Sequence, residues 1–152
     1  AATAAGLLTA GPFAQLAYAA ALTKAQRDKL TPDEIIAMMK RGNERFRSGK
    51  GTAQNVLAQQ RASAKGQFPA AVIPSCIDSR APADTIMDLG IGDVFNARVA
   101  GNIANDDILG SMEFACAAAG AKVVLVMGHT ACGAIFSRPA RCSSDSTQAM
   151  LG

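Results

Sequence analysis

Tryptophan is absent from this 152-residue chain, tyrosine occurs once (Tyr18) and histidine once (His129). Aromatic residues make up 5%, too few for a surface on which nucleic-acid bases stack. Charge of one sign is also scarce. Fifteen Lys and Arg stand against twelve Asp and Glu, a formal net charge of +3. No basic stripe of the kind that tracks a phosphate backbone results, so no nucleic-acid partner is expected. The four cysteines include no Cys-x-x-Cys pair and are too few for a disulfide scaffold. What is present is 49% hydrophobic and 18% charged. That excludes a mostly disordered chain and suits one domain with a real core.

Residues 1–22 are rich in Ala, Gly and Leu and carry no charge. Gly11, Pro12 and Gln15 break the run, so no membrane span is expected. We read it as the apolar part of an export signal, because Ala17-Tyr18-Ala19 and Ala19-Ala20-Ala21 have the small-x-small pattern of a cleavage site. That reading implies a periplasmic or secreted protein. The alternative is an Ala-rich arm packed on a neighbouring subunit of a cytoplasmic protein.

Thr31-Pro32-Asp33-Glu34 has the form of a capping box, with Pro32 at the first helical position. Ile35, Met39 and Phe46 fall at helical spacing on one face, and Gly49 and Gly51 end the helix. Lys40, Arg41, Arg45, Arg47 and Lys50 form its solvated outer face.

From Ala70 the pattern alternates. Residues 70–75, 94–99 and 122–127 read as strands, the last a Val-rich run suited to burial on both faces of a parallel sheet. Asp106 and Asp107 can cap a helix running to Ala119, with Gly120 as its stop and Cys116 in its core. The fold class is therefore α/β: an open, mainly parallel β-sheet flanked by helices. No internal repeat or second domain is visible. The organisation is an apolar segment over 1–22, a folded domain over 23–135, and an atypical Ser-rich polar tail over 136–152 that holds Cys142.

In open α/β sheets, sites form beyond the carboxyl ends of strands. Cys76 lies just past the first strand; His129 and Cys132 lie just past the Val-rich one. Two thiolates and an imidazole suit Zn²⁺ in tetrahedral geometry and leave a fourth position for water, the arrangement of a catalytic zinc site. Alone, His-x-x-Cys is weak evidence, and a lone Cys at a strand end is commonly a small buried hydrophobe.

Five segments follow one another in order: Cys76-Ile77-Asp78-Ser79-Arg80, Gly92-Asp93-Val94-Phe95, Arg98-Val99-Ala100-Gly101-Asn102, Ser111-Met112-Glu113 and Gly128-His129-Thr130-Ala131-Cys132-Gly133. Together they resemble the β-class carbonic anhydrases over about residues 67–135, with a weaker match over 32–48. The resemblance implies a Zn²⁺ lyase that interconverts CO2 and bicarbonate by attack of zinc-bound hydroxide. Cys76, His129 and Cys132 would hold the metal. Asp78 would be a fourth ligand in a shut state and would be released when paired with Arg80, a competition that a bidentate Arg–carboxylate pair makes plausible. The bland alternative for Asp78 and Arg80 is a structural salt bridge under the loop.

The resemblance further gives Gln67 a place in a neighbouring subunit's substrate pocket. Gly101 would allow close approach of backbone to substrate. A homodimer or higher homo-oligomer is implied, and a C-terminal part of the family's fold is expected to be missing after Ile135. Two rivals share the scaffold: a hydrolase of carbon disulfide or carbonyl sulfide, and a catalytically impaired zinc-binding homologue. A disulfide between Cys116 and Cys142 is a further option if the protein is exported.

Overall fold

A computed structural model describes residues 21–136. The apolar segment up to residue 20, the tail from residue 137 and Cys142 lie outside the described residues.

Helix α1 (Lys24–Lys29) starts with a capping box of its own, between Thr23 and Gln26. Helix α2 (Pro32–Arg47) starts at the expected Thr31–Glu34 box, with both reciprocal hydrogen bonds formed. Ser48 caps its end, and Gly49 takes a left-handed φ of 69° that turns the chain away. Helix α3 (Val56–Ser63) follows, capped by the Asn55 side chain. Strand β1 (Ala71–Ser75) leads through helix α4 (Ala83–Ile86) to strand β2 (Val94–Arg98). A single 3-10 turn (Ala100–Asn102) precedes helix α5 (Asp106–Glu113), which widens into a π turn (Phe114–Ala118). Strand β3 (Val123–Val124) and helix α6 (Gly133–Phe136) close the described chain.

The sheet is parallel in the order β2-β1-β3. Its central strand is buried at all five positions. Alternate β1 side chains face two cores. Ile73 packs with Leu30, Ile35 and Met39 on one side; Val72 packs with Ala97, Ile108 and Ala115 on the other. Helices thus cover both faces, as strand–helix alternation implied. Leu22, counted by composition with the apolar segment, is buried in the first core.

Five expectations need correction. The third strand is shorter than 122–127. Pairing breaks after Val124 and returns only as a bridge between Ser75 and Met127. The cause is Pro74 in β1, whose carbonyl accepts from Met127 N–H but which has no N–H to give to the same side. This strand is also not buried on both faces: Val124 and Val126 are 44% and 67% exposed.

Asn105, not Asp106 or Asp107, caps α5, through its side-chain oxygen and the Ile108 N–H. The two aspartates instead occupy the first turn, where carboxylates favour the helix dipole. Cys116 is exposed rather than core. The stripe that packs on the sheet is Ile108, Met112 and Ala115, and Cys116 lies one position round from it. Phe46 is likewise 44% exposed: it shares the helical face of Ile35, Met39 and Gly42 but stands in the last turn of α2.

Candidate metal centre

Three strand ends build the site. β1 delivers Cys76, β2 delivers the loop through Gly101, and the segment after β3 delivers His129 and Cys132. The sulfurs of Cys76 and Cys132, 56 residues apart in sequence, lie 3.8 Å apart, and both residues are buried. The ligand atoms of Cys76, His129 and Cys132 all lie within 4.8 Å of one another.

Does this set fit a metal? Two sulfurs on one tetrahedral zinc, each at about 2.3 Å, stand about 3.8 Å apart, the separation found. A disulfide needs about 2.05 Å, so the pair is not bonded. The histidine supplies an independent observation. Its Nδ1 lies 2.9 Å from the Thr130 carbonyl oxygen, which can only accept. The proton is therefore on Nδ1, and in the neutral ring the lone pair is on Nε2. That Nε2 is buried with no hydrogen-bond partner. An orphaned buried nitrogen facing two thiols is costly unless something occupies the point between them. Soft sulfur plus imidazole suits Zn²⁺.

Electrostatics agree. The Cys76 thiol is lowered to about 6, first by the His129 ring and then by the Asp78 backbone N–H. The Gly101 N–H, 3.4 Å from the Cys76 sulfur, acts in the same direction. The ring of His129 is in turn raised, chiefly by Cys76. Gly101 achieves this with a left-handed φ of 71°, which a glycine adopts without strain.

Asp78 sits beside the cluster, held by Arg80. The Arg80 backbone N–H and Nε donate to Oδ1, both at 2.9 Å, and Nη2 donates to Oδ2 at 2.7 Å. These bonds hold the Asp78 carboxyl far below the usual carboxylate range. Oδ2 is 3.8 Å from His129 Nε2, next to the ligand atoms but paired with arginine. Gln67, by contrast, is exposed near the opposite end of β1. The strand alone separates those ends by about 16 Å, so Gln67 does not reach this chain's own site.

One side chain beside the site was not singled out by the sequence. Arg98, the last residue of β2, donates from Nε to the Cys76 carbonyl at 2.8 Å and from Nη2 to the Asp78 carbonyl at 2.6 Å. A long cation at the carboxyl end of a strand was the available signal. Asn102 similarly ties the loop to the Met127 carbonyl, at 3.4 Å.

Comparison with known proteins gives the same direction. A family model described as carbonic anhydrase matches residues 71–150, and so takes in much of the Ser-rich tail. Carbonic anhydrase 2 of Mycobacterium tuberculosis is 42% identical over 98 residues, 64% of this chain and 47% of that protein. A carbonic anhydrase of Mycolicibacterium smegmatis is 38% identical over 98 residues, 64% of this chain and 48% of that protein. The chain spans about half the length of these curated relatives. Among solved structures, the β-carbonic anhydrase of the fungal pathogen Aspergillus fumigatus superposes with a TM-score of 0.51 at 27% identity, covering 76% of this chain and 58% of that one.

Proposed function

Because this chain belongs to the carbonic anhydrase family and has the β-class fold, we propose that it is a zinc-dependent enzyme for the reversible hydration of carbon dioxide to bicarbonate and a proton. The observation that carries this reading is the convergence of two buried sulfurs 3.8 Å apart on an unpartnered histidine Nε2. Cys76, His129 and Cys132 would hold the ion. When bound, zinc supplies Lewis acidity that brings the pKa of a water ligand to about 7.

The protein's own groups do the rest. The Thr130 carbonyl fixes the ring of His129 so that Nε2 faces the cluster. Asp78 stays ionised, because three donors from Arg80 stabilise its charge. A carboxylate offers about four acceptor sites. Arg80 fills two on Oδ1 and one on Oδ2. The remaining site on Oδ2, the oxygen nearer His129, can accept a hydrogen bond from a hydroxyl at the reaction point and so orient it. Asp78 thus acts as an acceptor and not as an acid at neutral pH.

We further propose that the protein is a homo-oligomer. Leu109, Phe114, Val124 and Val126 are all more than two-fifths exposed, and a second copy would bury apolar side chains of this kind. Gln67, remote from its own site, would then be available to another subunit's. No helix among the described residues is long and apolar enough to cross a membrane.

The test is metal analysis with stopped-flow CO2 hydration on the purified chain. Stoichiometric zinc and turnover are expected in the parent, and neither in Cys76→Ser or His129→Ala. Unchanged zinc occupancy in both variants would refute the site. Bound zinc without turnover would instead identify an impaired homologue.

A further inference from the structure

We propose that Arg98 is a positioning residue that keeps the Cys76 ligand and the Asp78–Arg80 pair in register by holding the backbone between them. Its guanidinium spans two carbonyls of the same loop, Cys76 O at 2.8 Å and Asp78 O at 2.6 Å. Among the described residues Arg98 forms no ion pair. A half-buried cation that faces two carbonyls, with no carboxylate partner, is committed to backbone.

The loop has few other ties. Ile77, between the two carbonyls, is 58% exposed and so adds little packing. The Asp78 carbonyl also receives the Ala81 N–H at 3.0 Å, which starts the turn into α4. The Asp78 side chain is meanwhile fastened to Arg80 within the same loop. That pair can therefore hold its own shape but cannot fix its distance from the ligands. Arg98 can, because it is anchored in β2, which pairs with β1 along five register positions. The guanidinium fork suits this: its donors sit on two nitrogens held at a fixed separation, whereas a lysine ammonium carries its three donors on one nitrogen at the end of a flexible stem. The Gly101 N–H reaches the Cys76 sulfur from the same connection. The end of β2 therefore sets both the backbone and the thiol of the first ligand.

This inference rests on the zinc reading for its consequence, but its geometric core can be tested without metal. Arg98→Met and Arg98→Lys would be made in the full chain. In the metal-free protein, hydrogen exchange at the Arg80 and Ala81 amides, both bonded to Asp78, should accelerate about tenfold or more in Arg98→Met. Amides of α2 should be unchanged. For zinc, competition with a chromophoric chelator should show Kd raised about 10–100-fold in Arg98→Met, the range seen when a group supporting a ligand is removed. Arg98→Lys should fall between this variant and the parent. The cobalt-substituted protein should show a shifted thiolate charge-transfer band in Arg98→Met.

A merely structural role would lower the unfolding temperature but leave zinc affinity and the cobalt spectrum of the folded protein as they were. Exchange and affinity both within twofold of the parent would overturn the proposal. A parent chain that binds no zinc but shows the exchange effect would sink the zinc reading and keep the loop assignment.

Discussion

Two interior helix glycines should respond in opposite senses to the same substitution. Gly42 lies in α2 and Gly110 in α5. Helix propensity alone gives each Gly→Ala a gain of about 1 kcal/mol. Packing separates them. A Cβ on Gly42 would stand 1.8 Å from the Met87 carbonyl oxygen and 2.8 Å from its carbon. Ordinary contact needs about 3.5 Å, and the obstructing atoms are backbone that no rotamer change can move. The helix must therefore back away from the end of α4. That motion strains the Asn43 Nδ2–Ile86 carbonyl bond and the Arg45–Asp88 ion pair, which lock the same face.

Overpacking costs about 1–3 kcal/mol, and loss of two such bonds about 1 kcal/mol each. After the propensity gain is set against them, Gly42→Ala should lose about 3 kcal/mol. A Cβ on Gly110 meets nothing within 4 Å, so Gly110→Ala should keep its gain of about 1 kcal/mol. Urea and thermal unfolding followed by far-UV circular dichroism, in chelator, would measure both. At about 2–4 °C per kcal/mol, the two variants should melt on the order of 10 °C apart. A Gly42→Ala protein at least as stable as Gly110→Ala would refute the packing argument.

Other outcomes follow from single sites. Burial pushes the Asp93 carboxyl up to about 6, against help from the Gly90 and Leu22 backbone amides. The folded chain therefore keeps a proton that the unfolded chain releases near its ordinary value of 3.8. This group's contribution is complete below about pH 4 and is lost as pH rises through about 6. Asp93→Asn should match the parent at pH 4 and exceed it by up to about 3 kcal/mol at pH 7; a difference independent of pH in unfolding experiments would contradict this. Ala131, between the candidate ligands His129 and Cys132, has a left-handed φ of 54°, so Ala131→Gly should raise stability by about 0.5–1 kcal/mol, seen as a higher melting temperature with zinc content intact. Asp78→Ala should retain zinc and lose most turnover in stopped-flow assays, and full activity would remove Asp78 from the mechanism.

Much of this was visible in one dimension. The Thr31–Glu34 box predicted the start of α2, because capping is chemistry between residues three apart. The same signature at Thr23–Gln26 was passed over beside the apolar segment. Cys76, His129 and Cys132 could be grouped before any coordinates, since parallel strands place their carboxyl ends along one edge. Asp78 and Arg80 are two residues apart, and their pairing is local as well. By contrast, the exposure of Phe46, Cys116, Val124 and Val126 depends on which elements lie opposite, and periodicity does not carry that information.

By itself, then, the sequence determined the alternation of strand and helix, the start of α2 and the grouping of Cys76, His129 and Cys132 as candidate ligands. Each follows from spacing along the chain or from donor chemistry. Tertiary structure alone decided that the sulfurs stand 3.8 Å apart, that Nε2 of His129 is the free nitrogen, and that Arg98 clasps the loop from the neighbouring strand. Those are distances between segments far apart in the chain, set by sheet register and by the close approach of packed backbones, for which no local pattern is a substitute.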